Sequence, residues 1–379
     1  MVAPVAPESL ALPSPPWLLQ GLGELTLAIH FLFMNVALGG TLLAAVYAVK
    51  GKARHLEAGF GLARALPFAM AYAIAFGVAP LLFVQVLYGR FFYTAAILIA
   101  PLFLAIVAAL ILAYSAIYFL AWRWDALKWG RLVALAVVFI SLCYVGFVQA
   151  NLFTLMCRPN LFRGMYLARP GGFQLNGGEA TLLPRLLHFA LGAIAIASLF
   201  VAMQGLRKLR LAPEQGRWQY RSGATWFAGS TVANMAIGLW WLFGLPREEW
   251  SLFMGRDLWA TIIFAGAIFF AVTALVLVHL AIGSPRPRRI FILAASAAVL
   301  TVVGMVFMRA TLREAELRPF YDAAAAPVST QWGAAALFGV IFIAALVLMT
   351  YLARLAIRAF PPPEGPPLGS GGYRFKNTG

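Results

Sequence analysis

Eight polar side chains lie inside long apolar runs of this sequence: Glu24, His30, Gln85, Gln149, Asn151, His188, Asn234 and His279. Such groups are costly at membrane depth and face protein or water there, so each is a functional candidate by default. His30 sits in "LTLAIHFLFMNVALGG" and His188 in "LLHFALGAIAIASLF". At 1.5 Å per residue, His30 is about 13 positions into the first run and His188 about seven into the fifth. Met235, in "STVANMAIGLWWLFG", is about nine residues before the end of the antiparallel sixth run, which puts it near the level of His188. A neutral imidazole opposite a thioether is an axial pair for low-spin haem. Arg185 is one turn before His188, and Arg309 and Arg313 close the eighth run. Guanidinium groups at that height hold haem propionates through paired charge-assisted hydrogen bonds. His279 is near the opposite end of the seventh run and cannot join the same site.

The competing reading is structural. A single intramembrane histidine often bonds a neighbouring helix, and Met235 is one of 11 methionines, a residue that packs cores readily. His279 and Glu24 are read as structural or proton-handling, and His55, in a basic loop, as solvated.

Membrane helices must carry these groups. The chain is 63% hydrophobic and 11% charged, with a mean hydropathy of +0.85, against roughly half apolar and a quarter charged in soluble domains. Runs long enough to cross ~30 Å of hydrocarbon as helix occur at about 17–48, 63–88, 92–122, 132–156, 181–205, 222–244, 258–282, 289–309 and 331–357. The expected architecture is an all-α, nine-helix transmembrane domain over 17–358. A short outer segment, 1–16, precedes it, and a disordered Pro/Gly-rich cytoplasmic tail, 359–379, follows. Pro80 and Pro101 are expected to kink the second and third helices.

Of the 29 Lys and Arg, 19 lie after the first, third, fifth and seventh runs or in the tail, among them Lys50, Lys52, Lys128, Lys208 and Lys376. That bias puts the N-terminus outside and the C-terminus inside, in a bacterial inner membrane. The same sidedness, with anionic lipid, accounts for the formal charge of +16, so nucleic acid is not a partner. "MVAPVAPESLALPSPP" has no basic n-region and the run after it is too long for a cleaved signal core, so it reads as a retained first span. Cys143 and Cys157 belong to no Cys-x-x-Cys-His signature, which excludes covalent c-type haem on this chain. No phosphate-binding glycine loop, His-Glu-x-x-His motif or helical carboxylate pair is present.

Several segments together resemble the large, haem-bearing subunit of cytochrome bd quinol oxidases. "AIHFLFMNVALGG" is similar to that family's first helix, which would make His30 the axial ligand of a high-spin haem. "FGVAPLLFVQVLYGRFF" and "APLFLAIVAALILAYSAIYFLAWRWDAL" resemble its second and third helices. "LLHFALGAIAIASLFVAM" resembles the fifth, placing His188 on the low-spin haem b ligand. The departures are equally specific. Family glutamates of the oxygen site and its proton path correspond to Ala105, Ala113 and Gln85, and the glutamate ligand of the eighth helix to Met308 or Arg309. The long quinol-binding loop of the family shrinks to residues 245–257. The family's methionine ligand falls near Phe264, so Met235, on the sixth helix, pairs with His188 by depth alone.

Four-electron oxygen reduction needs protons delivered into a dry site, and the carboxylates that do so are missing. The resemblance therefore implies a divergent member that binds one or two b haems through His30, His188 and Met235, with Arg185 and Arg309 on the propionates. It would move electrons between quinone and an outer-face partner such as a multihaem c-type cytochrome, beside other membrane subunits. The quinone site is expected around 158–178 and 250–257. Two alternatives stay open: a quinol oxidase with a reorganised oxygen site, and a haem-free transporter or assembly subunit.

Overall fold

The structure, a computed structural model, describes residues 11–359. Residues 1–10 of the expected outer segment and 360–379 of the expected tail lie outside the described residues. Nine long helices are present among the described residues: α1 (Pro16–Lys50), α2 (Ala53–Leu98), α3 (Ala100–Leu127), α4 (Gly130–Met156), α5 (Leu182–Lys208), α6 (Pro213–Phe243), α7 (Leu258–Ala281), α8 (Pro287–Leu317) and α9 (Trp332–Ala359).

Eight of these are long and apolar enough to cross a membrane. The exception is α6, whose first half, "PEQGRWQYRSGATW", dilutes its apolar character although its 31 residues exceed the ~20 needed to span. Large apolar side chains point away from the protein, as Leu104, Trp122 and Val133 do at 70%, 80% and 66% exposure. On a soluble protein such a surface would aggregate; on a multi-pass membrane protein it faces lipid.

Local chemistry sets the helix ends. Pro16, Pro213 and Pro287 open α1, α6 and α8, where the missing N–H costs no hydrogen bond and φ is already helical. Gly51 closes α1 in the left-handed conformation at φ 66°, returning its N–H to the Tyr47 carbonyl. Asp257 caps α7, its side chain accepting from the Ala260 N–H at 2.8 Å. The third helix begins at residue 100, not 92, because α2 runs on through the Phe91–Phe92 pair to Leu98. Pro101 falls in the first turn of α3 and kinks nothing. The break in α2 comes at Tyr88 (φ −128°, ψ 29°), beyond Pro80, with the Arg313 guanidinium 5.1 Å from its ring.

Helices α1 to α8 pair in sequence, and α1 runs through the middle, packing on α2, α5, α4 and α8. Small residues permit the closest approaches, as is usual between membrane helices. A Cβ on Gly39 would collide with the Ala193 carbonyl of α5, and one on Gly223 would lie 2.6 Å from the Ser198 carbonyl. These contacts lock α1, α5 and α6 together. The start of α1, the 157–181 segment, the 245–257 segment and the 318–331 segment form one end of the bundle, called the upper end below. There Leu12 pairs with Val328, and the Gln174 N–H donates to the Leu98 carbonyl at 3.0 Å.

Candidate functional site

Both sequence-predicted histidines are held in the same way. The Nδ1 of His30 is 2.7 Å from the Ala73 carbonyl of α2, and the Nδ1 of His188 is 3.2 Å from the Asn234 carbonyl of α6. A carbonyl only accepts, so each Nδ1 carries the proton and each Nε2 keeps its lone pair. Four residues beyond each carbonyl stands a glycine under the ring. A Cβ on Gly77 would lie 2.8 Å from His30 Cε1 and Nδ1, and one on Gly238 would lie 3.1 Å and 3.2 Å from the same atoms of His188. Each imidazole therefore rests in a notch one helical turn long, with its tautomer fixed from behind. Metal-binding histidines are oriented by this kind of bond.

His188 faces a cavity of about 250 Å³ enclosed by α1 and α5 to α8, with Met235, Met308 and Arg309 also on its wall. His30 is not on that wall, although Phe31, the next residue, is, and its ring packs on Phe189 at 5.4 Å. The two methionines stand differently. Met235 belongs to α6, the helix whose Asn234 carbonyl holds Nδ1 of His188. Met308 is on α8, which packs on α7 and α1 rather than on α6. Met305, one turn before Met308 on α8, lines the cavity as well.

The arginines gather at the upper end. Arg309 lines both this cavity and a smaller one of about 20 Å³, together with Arg185 and Arg313. Arg185 is 7% exposed, lies 4.8 Å over the Trp241 ring, and leaves its Nε without a hydrogen-bond partner. Arg309 lies 4.6 Å over Phe153 and 5.8 Å over Phe31. Arg313 is engaged otherwise, donating to Glu24 Oε1 at 2.8 Å with both residues buried. Glu24 thus pins α1 to α8.

Gln85 and His279 are not brought to the cavity. Gln85 accepts from the Tyr93 hydroxyl at 3.1 Å on an exposed face of α2, and His279 is exposed and bonds the Leu275 carbonyl of its own helix at 2.9 Å. Sequence reasoning missed Glu316, which meets Arg158 at 3.0 Å and lines the small cavity. It also missed Asn35 and Thr231, whose buried oxygens lack partners beside His188. Asn35 lies five residues after His30 in the same run, a signal that was available.

Outside the spans, the carboxyl of Glu249 is strongly perturbed. Burial first, and then the Glu316 charge, push its carboxyl up to about 7. Burial and Glu316 likewise push the Cys157 thiol well up, which keeps it protonated.

No family model and no curated protein matches the sequence. Among solved structures the helices superpose on a chain of the bd oxidase from Geobacillus thermodenitrificans, with a TM-score of 0.70 over 92% of this chain and 100% of that chain. The fold is cytochrome bd-like. Sequence identity over that alignment is 15%, so the shared feature is the backbone, as the ordered helix motifs imply. Ala113 is wholly buried, in a cluster with Ile117, Leu120 and other apolar groups.

Proposed function

We propose that this chain is a b-haem-binding subunit of a bacterial inner-membrane redox complex. It would carry electrons between the quinone pool and a partner at the upper, outer end, a multihaem c-type cytochrome being one such partner. The observation that carries the reading is the paired notch: two imidazoles with Nδ1 bonded to a neighbouring helix and Nε2 left as a ligand, one of them on the wall of a 250 Å³ apolar cavity.

The residues present fit a haem. His188 would hold the haem iron through Nε2, with Met308, or Met305 one turn earlier, supplying a thioether; Met235 lines the same cavity. The unpartnered Arg185 Nε and the cavity-facing Arg309 suit carboxylate groups. Bound there, haem supplies one-electron chemistry, and a thioether ligand raises its potential. The chain's own part is to exclude water, fix the imidazole and neutralise anionic groups. His30 has the geometry of a second ligand. Nine spans with α6 among them, and the C-terminus inside, complete the proposed arrangement.

Two tests discriminate the readings. Purified protein mixed with a short-chain quinol should show reduction of a b-type α-band, absent in His188→Ala. An oxygen electrode should record no quinol-dependent uptake, since Ala105 and Ala113 supply no protons; uptake would favour an oxidase with a reorganised site.

A further inference from the structure

A group of side chains at the upper end has no part in holding haem. Arg158 joins three carboxylates from three segments: Glu316 at 3.0 Å, Glu179 at 3.3 Å and Glu249 at 3.9 Å. Exposure of these side chains rises from 6% at Glu316 to 16% at Glu249 and 23% at Arg158. Glu316 lines the small cavity, and Arg309, Trp241 and Leu312 belong to both cavities. A polar line therefore runs from the wall of the large cavity to the upper surface. About 20 Å³ is room for one water. Toward the surface end of the line, the buried Oε2 of Glu249 has no hydrogen-bond partner.

Charge explains why such a line would matter. Arg158, Arg185, Arg309 and Arg313 stand against Glu24, Glu179, Glu249 and Glu316. Fully ionised, the group is neutral, so an electron placed in the neighbouring cavity is uncompensated in a medium of low dielectric.

We infer that Glu316 and Glu249 form a proton relay between the large cavity and the aqueous phase at the upper end. The inference rests on the haem reading above. A hydroquinone-class donor gives up two electrons, one at a time, and releases two protons to water as it becomes a quinone; each electron entering the cavity draws one proton from the upper aqueous phase onto the pair, a carboxylate becoming a carboxylic acid. When the electron leaves for the outer partner, the O–H bond breaks and the proton returns. Glu249 suits the outer position: burial first, and then the charges of Glu316, Arg158, Glu179 and Arg185 around it, leave its carboxyl pushed up to about 7. Arg158, held protonated by its three carboxylates, bridges the two acids. The Cys157 thiol beside Glu316 stays neutral.

The test uses the purified full chain in lipid nanodiscs. Infrared titration should reveal a carboxylic C=O band with a midpoint near pH 7, lost in Glu249→Gln and retained in Glu249→Asp. Redox titration of the α-band between pH 6 and 8 should give a midpoint potential that falls with pH in the wild type. The slope should flatten in Glu316→Gln and Glu249→Gln and persist in Glu249→Asp. A coloured protein whose slope is the same in all variants overturns the relay alone. A colourless protein overturns the haem reading and the relay with it.

Discussion

The notch beneath His188 makes a graded prediction. A methyl group at position 238 would sit 3.1 Å and 3.2 Å from Cε1 and Nδ1 of the ring, where ordinary contact begins at 3.4 Å. The imidazole must then retreat by 0.2 to 0.3 Å, the difference between those distances. Its bond to the Asn234 carbonyl is already 3.2 Å long, and geometry weakens steeply beyond that. Losing the bond costs about 1–3 kcal/mol, and loss of a ligand-orienting bond typically lowers metal affinity roughly 10- to 100-fold. Gly238→Ala should fall at the lower end of that range and Gly238→Val, with two further methyls in the notch, at the upper end. Gly229 is on the same helix with nothing within 4 Å of its position, so Gly229→Ala is the control. Helix propensity favours alanine by about 1 kcal/mol, so misfolding does not explain a loss in Gly238→Ala. The assay is haem transfer from the purified variants to excess apomyoglobin. Equal retention in wild type, Gly238→Ala and Gly238→Val would refute the reasoning.

Other substitutions test separate parts of the account. Met308→Leu should shift the α-band and lower the midpoint potential, by loss of a thioether ligand, while Met235→Leu should leave both nearly unchanged; the reverse would put the ligand on α6. In a His188→Ala background, Gly77→Ala should release whatever haem His30 holds, since a Cβ there lies 2.8 Å from the ring. Glu24→Gln strands the buried Arg313 guanidinium and should cost about 3–5 kcal/mol, read as a lower midpoint of thermal unfolding in detergent. Glu249 has a folded-state pKa of about 7, raised from 4.5. The stability it contributes is therefore complete below pH 4.5 and lost as pH rises through 7. Thermal unfolding should accordingly show Glu249→Gln gaining on the wild type between pH 5 and pH 8, and a constant difference would contradict the burial argument.

What the sequence revealed divides along physical lines. Apolar runs of span length marked every long helix, because hydrocarbon demands them, yet α6 escapes a strict hydropathy test through Gln215, Arg217, Gln219 and Arg221. Helix depth brought His188, Met235 and Arg309 to one level, and all three line one cavity. Depth says nothing about azimuth, so it could not tell that Met235 stands on the helix that holds the His188 ring and Met308 on another wall of the same cavity. Gln85 and His279 looked like candidates for the same reason. Each instead makes one hydrogen bond within its own helix, on an exposed face. Glu316 went unnoticed because, three residues beyond Arg313, it reads as the end of a helix; only the fold brings Arg158 to it. The glycines at 77 and 238 carry no local turn signal, and their role depends on a ring arriving from another helix.

The most direct measurement is the haem content of the purified protein by pyridine haemochrome, with a dithionite-reduced minus oxidised spectrum, on the wild type and on His188→Ala. The account predicts stoichiometric b-type haem with a sharp low-spin α-band that disappears in the variant. A colourless wild type from haem-replete cells, or an α-band untouched by His188→Ala, would contradict it.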